Sequence, residues 1–503
     1  MSKFNVNVRV KPDTTNVAGG KAFSMSPEME LVHAVLTSFL KDEFYEKGSD
    51  RVDRIKKLVA LNDPQFVAKL AIVARKEFNL RSVSHVLLGE LSKVHRGDSL
   101  VKDAIVEAAL RPDDLTEIVA YVKTPLPKQV KRGVRNAILK FDRYQLAKYK
   151  GEGKGVTLVD LFNLTHPKTK HADAEQKKAW KDLIEGNLAS FDTWETEISN
   201  AKDDKARTKA WEALIKENKM GYMALLRNLN NLIKYGVGEK VLDMVAKKLS
   251  DPVEVAKSKQ LPFRFVTAYD NVHGNRVLTD AIADAMEHAL SNVPTLPGKT
   301  LIAIDSSGSM SGDPMKKASI FGAALAKANK NSDVILYDTD VKELANFNSK
   351  TPVIDLSKSI ERQAMGGGTE TSLVFQYAIA KKIRYDRVII LSDNESWTEG
   401  WRGNSVQDFY KAYRGTGADP FVYAIDIQGY GTSDVKGGKV FHLCGWSERL
   451  LDFIGRIEEG ESLVDYIKNY QIKSMKYEKP KKAVTKKVVK VVGKVKKAVK
   501  RKR

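Results

Sequence analysis

Lys299–Asp305 (KTLIAID) is followed at once by Ser306-Ser307-Gly308-Ser309. The four residues Leu301 to Ile304 are apolar and run straight into an acid. A strand buried on both faces reads this way, as central strands of a parallel sheet do. The same texture recurs in Asp333–Asp338 (DVILYD), Arg387–Asp393 (RVIILSD) and Pro420–Asp426 (PFVYAID), and Lys439–Leu443 closes the series. Helical patterns accompany them at Pro314–Lys330, Thr371–Lys382, Val406–Tyr413 and Ser447–Ile457. Strand–helix alternation predicts a doubly wound α/β domain over residues 298–465, with helices on both sides of a mostly parallel sheet.

In such sheets ligands bind beyond the carboxyl ends of the strands. Three segments fall there: Asp305 to Ser309, Gly366-Gly367-Gly368-Thr369, and Asp393. Asp-x-Ser-x-Ser alone is a common turn or helix cap. Next to a strand end, with Gly-Gly-Thr and a second strand-terminal acid, it reads as a cation site. Asp305, Ser307, Ser309, Thr369 and Asp393 offer only oxygen, which suits Mg2+ or Mn2+. Thr371 lies close to Thr369, and the preceding glycines favour Thr369. So few carboxylates leave the ion positive, with an open position for a partner's acidic residue. The pattern resembles the von Willebrand factor A domain and its metal-ion-dependent adhesion site, and all five positions are matched. That resemblance implies partner binding rather than catalysis.

Upstream the texture is helical. Residues 1–25 form an N-terminal arm, and 26–297 read as helix after helix. Asn62-Asp63-Pro64 and Ser250-Asp251-Pro252 place a capping side chain before a proline at the first helical position, and Pro112-Asp113-Asp114 is a similar entry. Amphipathic runs such as Phe66–Phe78 and Leu115–Val122 follow such signals. Many helix pairs with short turns and no sheet predict an α-solenoid, with one irregular bundle as the alternative.

Charge is uneven. The 503 residues carry 84 Lys+Arg against 63 Asp+Glu, a formal +21. Residues 471–503 hold 15 Lys+Arg and one acid, Glu478, so two-thirds of the excess sits in a Lys/Val tail. Such a tail cannot bury enough apolar area to fold alone and is expected to be disordered until it meets a partner. A basic helix on a membrane surface is the alternative, which the valines and Gly493 disfavour. A polyanion, nucleic acid first, is the expected partner of so basic a chain. One cysteine, Cys444, excludes an internal disulfide and argues for a reducing compartment. Neither a signal peptide nor a run of ~20 apolar residues is present. The expectation is a cytoplasmic monomer with no membrane partner.

Outside the tail, positive charge is densest from Lys123 to Lys154. On a helix, Val130, Val134, Ala137, Ile138 and Phe141 share one face, and Lys128, Lys131, Arg132 and Arg135 gather on another. A basic strip of this kind fits phosphates, although a solvated helix face reads the same. Tyr144–Lys150 (YQLAKYK), Leu158–Lys168 (LVDLFNLTHPK), Asn16–Gly20 (NVAGG), Met223–Leu229 (MALLRNL) and Gln260–Tyr269 (QLPFRFVTAY) resemble the TROVE domain of the Ro ribonucleoprotein autoantigens and their bacterial relatives. A TROVE domain followed by a von Willebrand A domain is that family's whole architecture.

The resemblance implies a ring of HEAT-like repeats closed by the metal-site domain. It implies Y RNA bound on a basic outer face and single-stranded ends of misfolded RNA in a central hole. Carried over by position, Lys148, Lys150 and His166 match the Y RNA surface. One further basic position falls on Glu152 or Gly153, and Lys154 is the substitute.

The preferred reading is therefore a non-catalytic RNA-binding ribonucleoprotein component acting in RNA quality control or processing. The alternative is a metal-dependent scaffold that binds acidic partners, an exoribonuclease among them. An enzyme is disfavoured, because neither a phosphate-binding Gly-x-x-x-x-Gly-Lys-Ser/Thr loop nor His-Glu-x-x-His occurs.

Overall fold

A computed structural model describes residues 12–37, 48–151, 153–189, 194–272, 274–344, 350–396, 405–444, 454–455, 457–458 and 462–474. The tail expected to be disordered lies outside them from residue 475 onward, as do residues 447–453 and 456 of the last expected helix.

Nine strands occur among the described residues: β1 Thr14–Thr15, β2 Lys21–Ser24, β3 Thr300–Asp305, β4 Ser332–Tyr337, β5 Val341–Glu343, β6 Arg387–Ser392, β7 Phe421–Asp426, β8 Thr432–Ser433 and β9 Val440–Cys444. Six of them form one sheet in the order β5-β4-β3-β6-β7-β9. All its pairings are parallel except that of the edge strand β5. From β3 the chain moves first to β4 on one side and later to β6 on the other. The switch point therefore lies between the ends of β3 and β6.

Alternation along β3 explains the two helical layers. Ile302 and Ile304 pack with Met315, Phe321 and Ile354 from helices Asp313–Ala328 and Val353–Gln363. Leu301 and Ala303 pack with Phe375 and Tyr410 from helices Ser372–Ala380 and Val406–Gly415. Successive strand residues face opposite layers, so a strand buried on both faces has to be apolar throughout.

At the amino end of β6, buried Arg387 donates through Nε and Nη2 to the two Glu458 carboxylate oxygens, both at 2.6 Å, and through Nη1 to Thr300 Oγ1 at 2.9 Å. Removing one partner of such a pair leaves a desolvated charge, which costs about 3–5 kcal/mol when both are fully buried. Glu458 is 18% exposed. Glu458→Ala is therefore expected to lower the stability of the α/β domain by a smaller ~2–3 kcal/mol. Denaturant unfolding checks this, and an unchanged midpoint would refute it.

The helical region begins as the capping signals require. Asp63 accepts from Phe66 N ahead of helix Pro64–Lys76, and Asp251 accepts from Val253 N and Glu254 N ahead of helix Pro252–Ser258. Successive helices pack on their neighbours as an array, with Pro64–Lys76 on Ser82–Val94 and Leu100–Ala108, and the latter on Lys128–Ala137. Both ends of the array rest on the α/β domain. At the start, helix Pro27–Leu36 lies against β9, and Arg51 and Arg54 donate to the Gln428 and Gly429 carbonyls at 2.6 and 2.5 Å. At the end, Leu278, Ile282 and Met286 of helix Arg276–Ala289 share an apolar cluster with Phe321. Lys316 pairs with Asp270, and Lys327 with Glu287 at 2.6 Å. An array held at both ends by one domain closes on itself.

The arm is not independent of that domain. β2 pairs with β8, Asn16 Nδ2 donates to the Ser396 carbonyl at 2.7 Å, and Ala18 N donates to Glu395 at 3.0 Å. The chain also returns after β9, through helix Leu463–Asn469, to pack on Pro64–Lys76.

Candidate metal centre and nucleic-acid surface

The five oxygen-bearing residues come from three loops at the switch point. Asp305 is the last residue of β3, and Ser307 and Ser309 sit in the short turn after it. Asp393 directly follows β6. The glycine loop is tied across the crevice: Gly366 N donates to the Ser306 carbonyl at 2.8 Å and Gly308 N to the Gly367 carbonyl at 2.9 Å. Gly367 N also donates to Asp338 Oδ2 at 2.8 Å, and a Cβ on Gly367 would lie 2.5 Å from that oxygen. Only glycine allows the loop to approach so closely.

All five residues are buried, Asp305 and Asp393 completely. Asp305 accepts from Ser307 N at 2.9 Å and from Ser392 Oγ at 2.6 Å. The Ser307 and Ser309 hydroxyl oxygens are 3.3 Å apart. Thr371 Oγ1 donates instead to Asp434 at 3.0 Å, and Thr371 stands at the amino end of the next helix. Burial raises the Asp305 carboxyl above its usual range, and the nearby Asp338 adds to this. Burial likewise raises Asp393, with further repulsion from Asp305 and Asp426. Two carboxyls that are costly to ionise together, beside clustered hydroxyls, form a donor set that a hard divalent cation would relieve. The donor set fits Mg2+. Among the described residues no group of three or more His, Cys, Asp and Glu gathers as a metal cluster. This candidate set has only two such residues, and hydroxyls supply the remainder.

The basic strip lies on helix Lys128–Ala137. Val130, Gly133, Val134 and Ala137 are buried, Lys128, Lys131 and Arg132 are exposed, and Arg135 is half-buried. The helix packs on Leu158–Thr165, whose carboxyl end is capped by His166 at φ +49°. His166 is exposed, so it serves the helix end while its ring remains accessible. Lys154 is exposed and lies 3.7 Å from Glu117, and Lys150 is half-buried. Lys148 is ion-paired to Glu195 at 2.8 Å. Any phosphate reaching Lys148 has to compete with that carboxylate.

Sequence reasoning did not find a cavity of ≈ 1080 Å3 where three parts of the array meet the α/β domain. Its walls carry Arg75, Arg81, Arg111, Arg227, Arg264 and Lys317. Arg75 and Arg81 both bond the buried Asp114, and Arg111 grips Asp113 through two hydrogen bonds. Burial alone would raise the Asp114 carboxyl. His85, Arg75 and Arg81 overcome that and hold it well below the usual range. Arg227 and Arg264 belong to MALLRNL and QLPFRFVTAY, so the cavity wall was present in those segments as resemblance without position.

The family model described as TROVE domain matches residues 37–187 and 185–289, and the one described as Ro60 vWA domain matches 299–457. The "RNA-binding protein RO60" of Deinococcus radiodurans is 23% identical over 413 residues, covering 71% of this chain and 77% of that protein. The "Telomerase protein component 1" of Rattus norvegicus is 22% identical over 295 residues, 42% of this chain. The match spans only 11% of that much longer protein. The crystal structure of the D. radiodurans RO (RSR) protein superposes with a TM-score of 0.60 at 18% identity, covering 86% of this chain and all of that one. With its helical region and its α/β domain both matched in that order, the chain belongs to the TROVE family and carries a Ro60-type von Willebrand A domain.

Proposed function

We propose that the protein is a non-catalytic RNA-binding ribonucleoprotein component. It binds a small structured, Y-like RNA on the surface formed by Lys128, Lys131, Arg132, Arg135, Lys148, Lys150, Lys154 and His166. It accepts single-stranded ends of misfolded RNA in the cavity, in the service of RNA quality control or processing. The observation that carries this reading is one molecule presenting two cationic surfaces of different shape. An exposed helical strip suits duplex phosphates, and a walled cavity suits an unpaired strand. The RO60 relatives of D. radiodurans and Caenorhabditis elegans are named as RNA-binding proteins, which supports it.

Isolation from the native cell and sequencing of bound RNA is the direct test. Small structured RNAs should be enriched, and recovery of bulk RNA in proportion to its abundance would defeat the reading. Lys148→Glu with Lys150→Glu should weaken binding of a structured hairpin several-fold, without a change in the unfolding midpoint. Equal binding by that double variant would remove Lys148 and Lys150 from the surface.

The buried donor set supports a second role beside the first. Asp305, Ser307, Ser309, Thr369 and Asp393 would hold Mg2+, which would offer a Lewis-acidic position to the carboxylate of an acidic partner such as an exoribonuclease. Partner capture that needs Mg2+ and survives RNase treatment would separate this role from RNA binding.

A further inference from the structure

The loop after β7, residues 427–431, is wedged between the cation donors and the start of the helical array. Asp426, the last residue of β7, shapes it: its Oδ1 accepts from Gln428 N and Gly429 N at 2.9 and 2.5 Å. Its Oδ2 lies 3.2 Å from His33 Nδ1 of helix Pro27–Leu36. The turn that results needs a glycine. Gly429 has φ +79°, and a Cβ on it would collide with Thr37 at the end of that helix.

Gln428 faces both ways. Its side-chain Nε2 donates to the Ser309 carbonyl at 3.1 Å and to Asp393 Oδ2 at 3.4 Å, and its Oε1 accepts from Tyr430 Oη at 2.6 Å. Its backbone carbonyl accepts from Arg51 Nη2 at 2.6 Å, and the Gly429 carbonyl accepts from Arg54 Nη2 at 2.5 Å. Both arginines belong to helix Gly48–Leu61. Gln428, Arg51, Thr37, His33 and Asp426 are all buried. One residue thus holds two of the three donor loops with its side chain and the array with its backbone. In a close-packed interior a shift at either end is passed on rather than absorbed.

Charge sets the direction. Asp393 is repelled by Asp305 and Asp426, and all three are buried. A divalent cation held by the donor set would offset that repulsion and fix Asp393 and the Ser309 turn, on which the Gln428 amide seats. A fixed seat keeps the Gln428 carbonyl against Arg51.

We propose that Gln428 is a positioning residue that couples cation occupancy of the donor set to the seam between the α/β domain and helices Pro27–Leu36 and Gly48–Leu61, the cation tightening that seam. This rests on the cation reading of Asp305, Ser307, Ser309, Thr369 and Asp393, and adds to it a route into the array. Coupling between two sites is reciprocal, so a loosened seam has to weaken the hold on the cation by the same factor.

The test uses the full chain, with Mg2+ alone as the probe. Calorimetric titration gives its dissociation constant. Amide hydrogen exchange reads helices Pro27–Leu36 and Gly48–Leu61 with and without saturating MgCl2, KCl matching the ionic strength. In the parent, Mg2+ should slow exchange in both helices about fivefold or more, the low end of coupling between two sites, and leave helix Glu239–Leu249 unchanged. Gln428→Met keeps the length of the side chain and loses the amide. It should weaken Mg2+ binding about fivefold and abolish the Mg2+ effect on exchange. Arg54→Met, acting from the array side of the loop, should weaken Mg2+ binding about two- to fivefold. Arg54→Lys, which can still donate to the Gly429 carbonyl, should recover most of that loss. A merely structural Arg54 would lower the unfolding midpoint and leave the Mg2+ constant where it was, which would overturn the proposal. Mg2+ binding by the parent with no change in exchange of the two helices would overturn it as well. Should Arg54→Met fail to fold, Gln428→Met decides alone, and a Mg2+ effect on exchange that persists there removes Gln428 from the route. A parent that binds no Mg2+ would remove the cation reading itself, and this coupling with it.

Discussion

Lys128→Gln, Lys131→Gln, Arg132→Gln and Arg135→Gln together are expected to lower affinity for a structured RNA hairpin by about 10³-fold at 0.1 M salt, and to flatten the salt slope by ~3–4. Each cation that neutralises a phosphate releases condensed counterions. That release is worth about five- to eightfold in affinity per contact at this salt. Glutamine favours helix nearly as well as lysine and arginine, and the packed face of Val130, Gly133, Val134 and Ala137 is untouched. The helix should therefore survive, which an unchanged unfolding midpoint verifies. Removing four exposed lysines elsewhere, Lys205, Lys209, Lys240 and Lys247, alters net charge equally and serves as the control. Binding measured by titration at several salt concentrations should separate the two variants by at least 10²-fold. Were the control to lose as much as the strip variant, affinity would reflect overall charge, and the strip would have no special standing.

How far the sequence revealed this arrangement depended on what each residue has to satisfy locally. β3, β4, β6 and β7 were visible because a strand covered on both faces has no choice but apolar residues. β5 was not: Val341–Glu343 is three residues long, at an edge, and largely exposed. Helix Val353–Gln363 also escaped notice, although Val353, Ile354, Leu356 and Ile360 form its buried side. The metal candidates were legible because strand ends are fixed in sequence, so Asp305 and Asp393 could be located without coordinates. Thr369 was separable from Thr371 only by its glycines, and the Thr371–Asp434 hydrogen bond joins residues 63 positions apart. The cavity arginines were the hardest to see. Arg227 and Arg264 sit in ordinary amphipathic helices and Arg81 just ahead of another, and only closure of the array brings them onto one wall. The return of the chain onto the helices after Leu463–Asn469 posed the same difficulty, since nothing near Glu107 in sequence announces its hydrogen bond with Tyr470, 363 positions away.

The largest effect expected at the switch point is complete loss of Mg2+ response on changing Asp305 to Asn. Asp305 uses both carboxylate oxygens internally, accepting from Ser307 N and from Ser392 Oγ. An asparagine keeps the shape, its Oδ1 still accepts from Ser307 N, and its Nδ2 can donate to the Ser392 oxygen. What disappears is the charge. Without a cation, that exchange should be neutral or mildly stabilising, because it removes a buried carboxyl repelled by Asp338 and one that itself repels Asp393. With Mg2+ present, the parent should gain about 2.7 kcal/mol at one hundred times the dissociation constant, since only the folded site binds. The variant should gain none. Thermal unfolding at rising MgCl2, with KCl matched for ionic strength, reads both halves of this expectation. Hairpin binding should change less than about threefold, because no residue of the strip or the cavity's arginine wall touches Asp305. The two halves must hold together. An Asp305→Asn protein whose midpoint still climbs with Mg2+ would place the ion elsewhere. A parent that never responds would mean that its paired carboxyls are met by protons and hydrogen bonds alone.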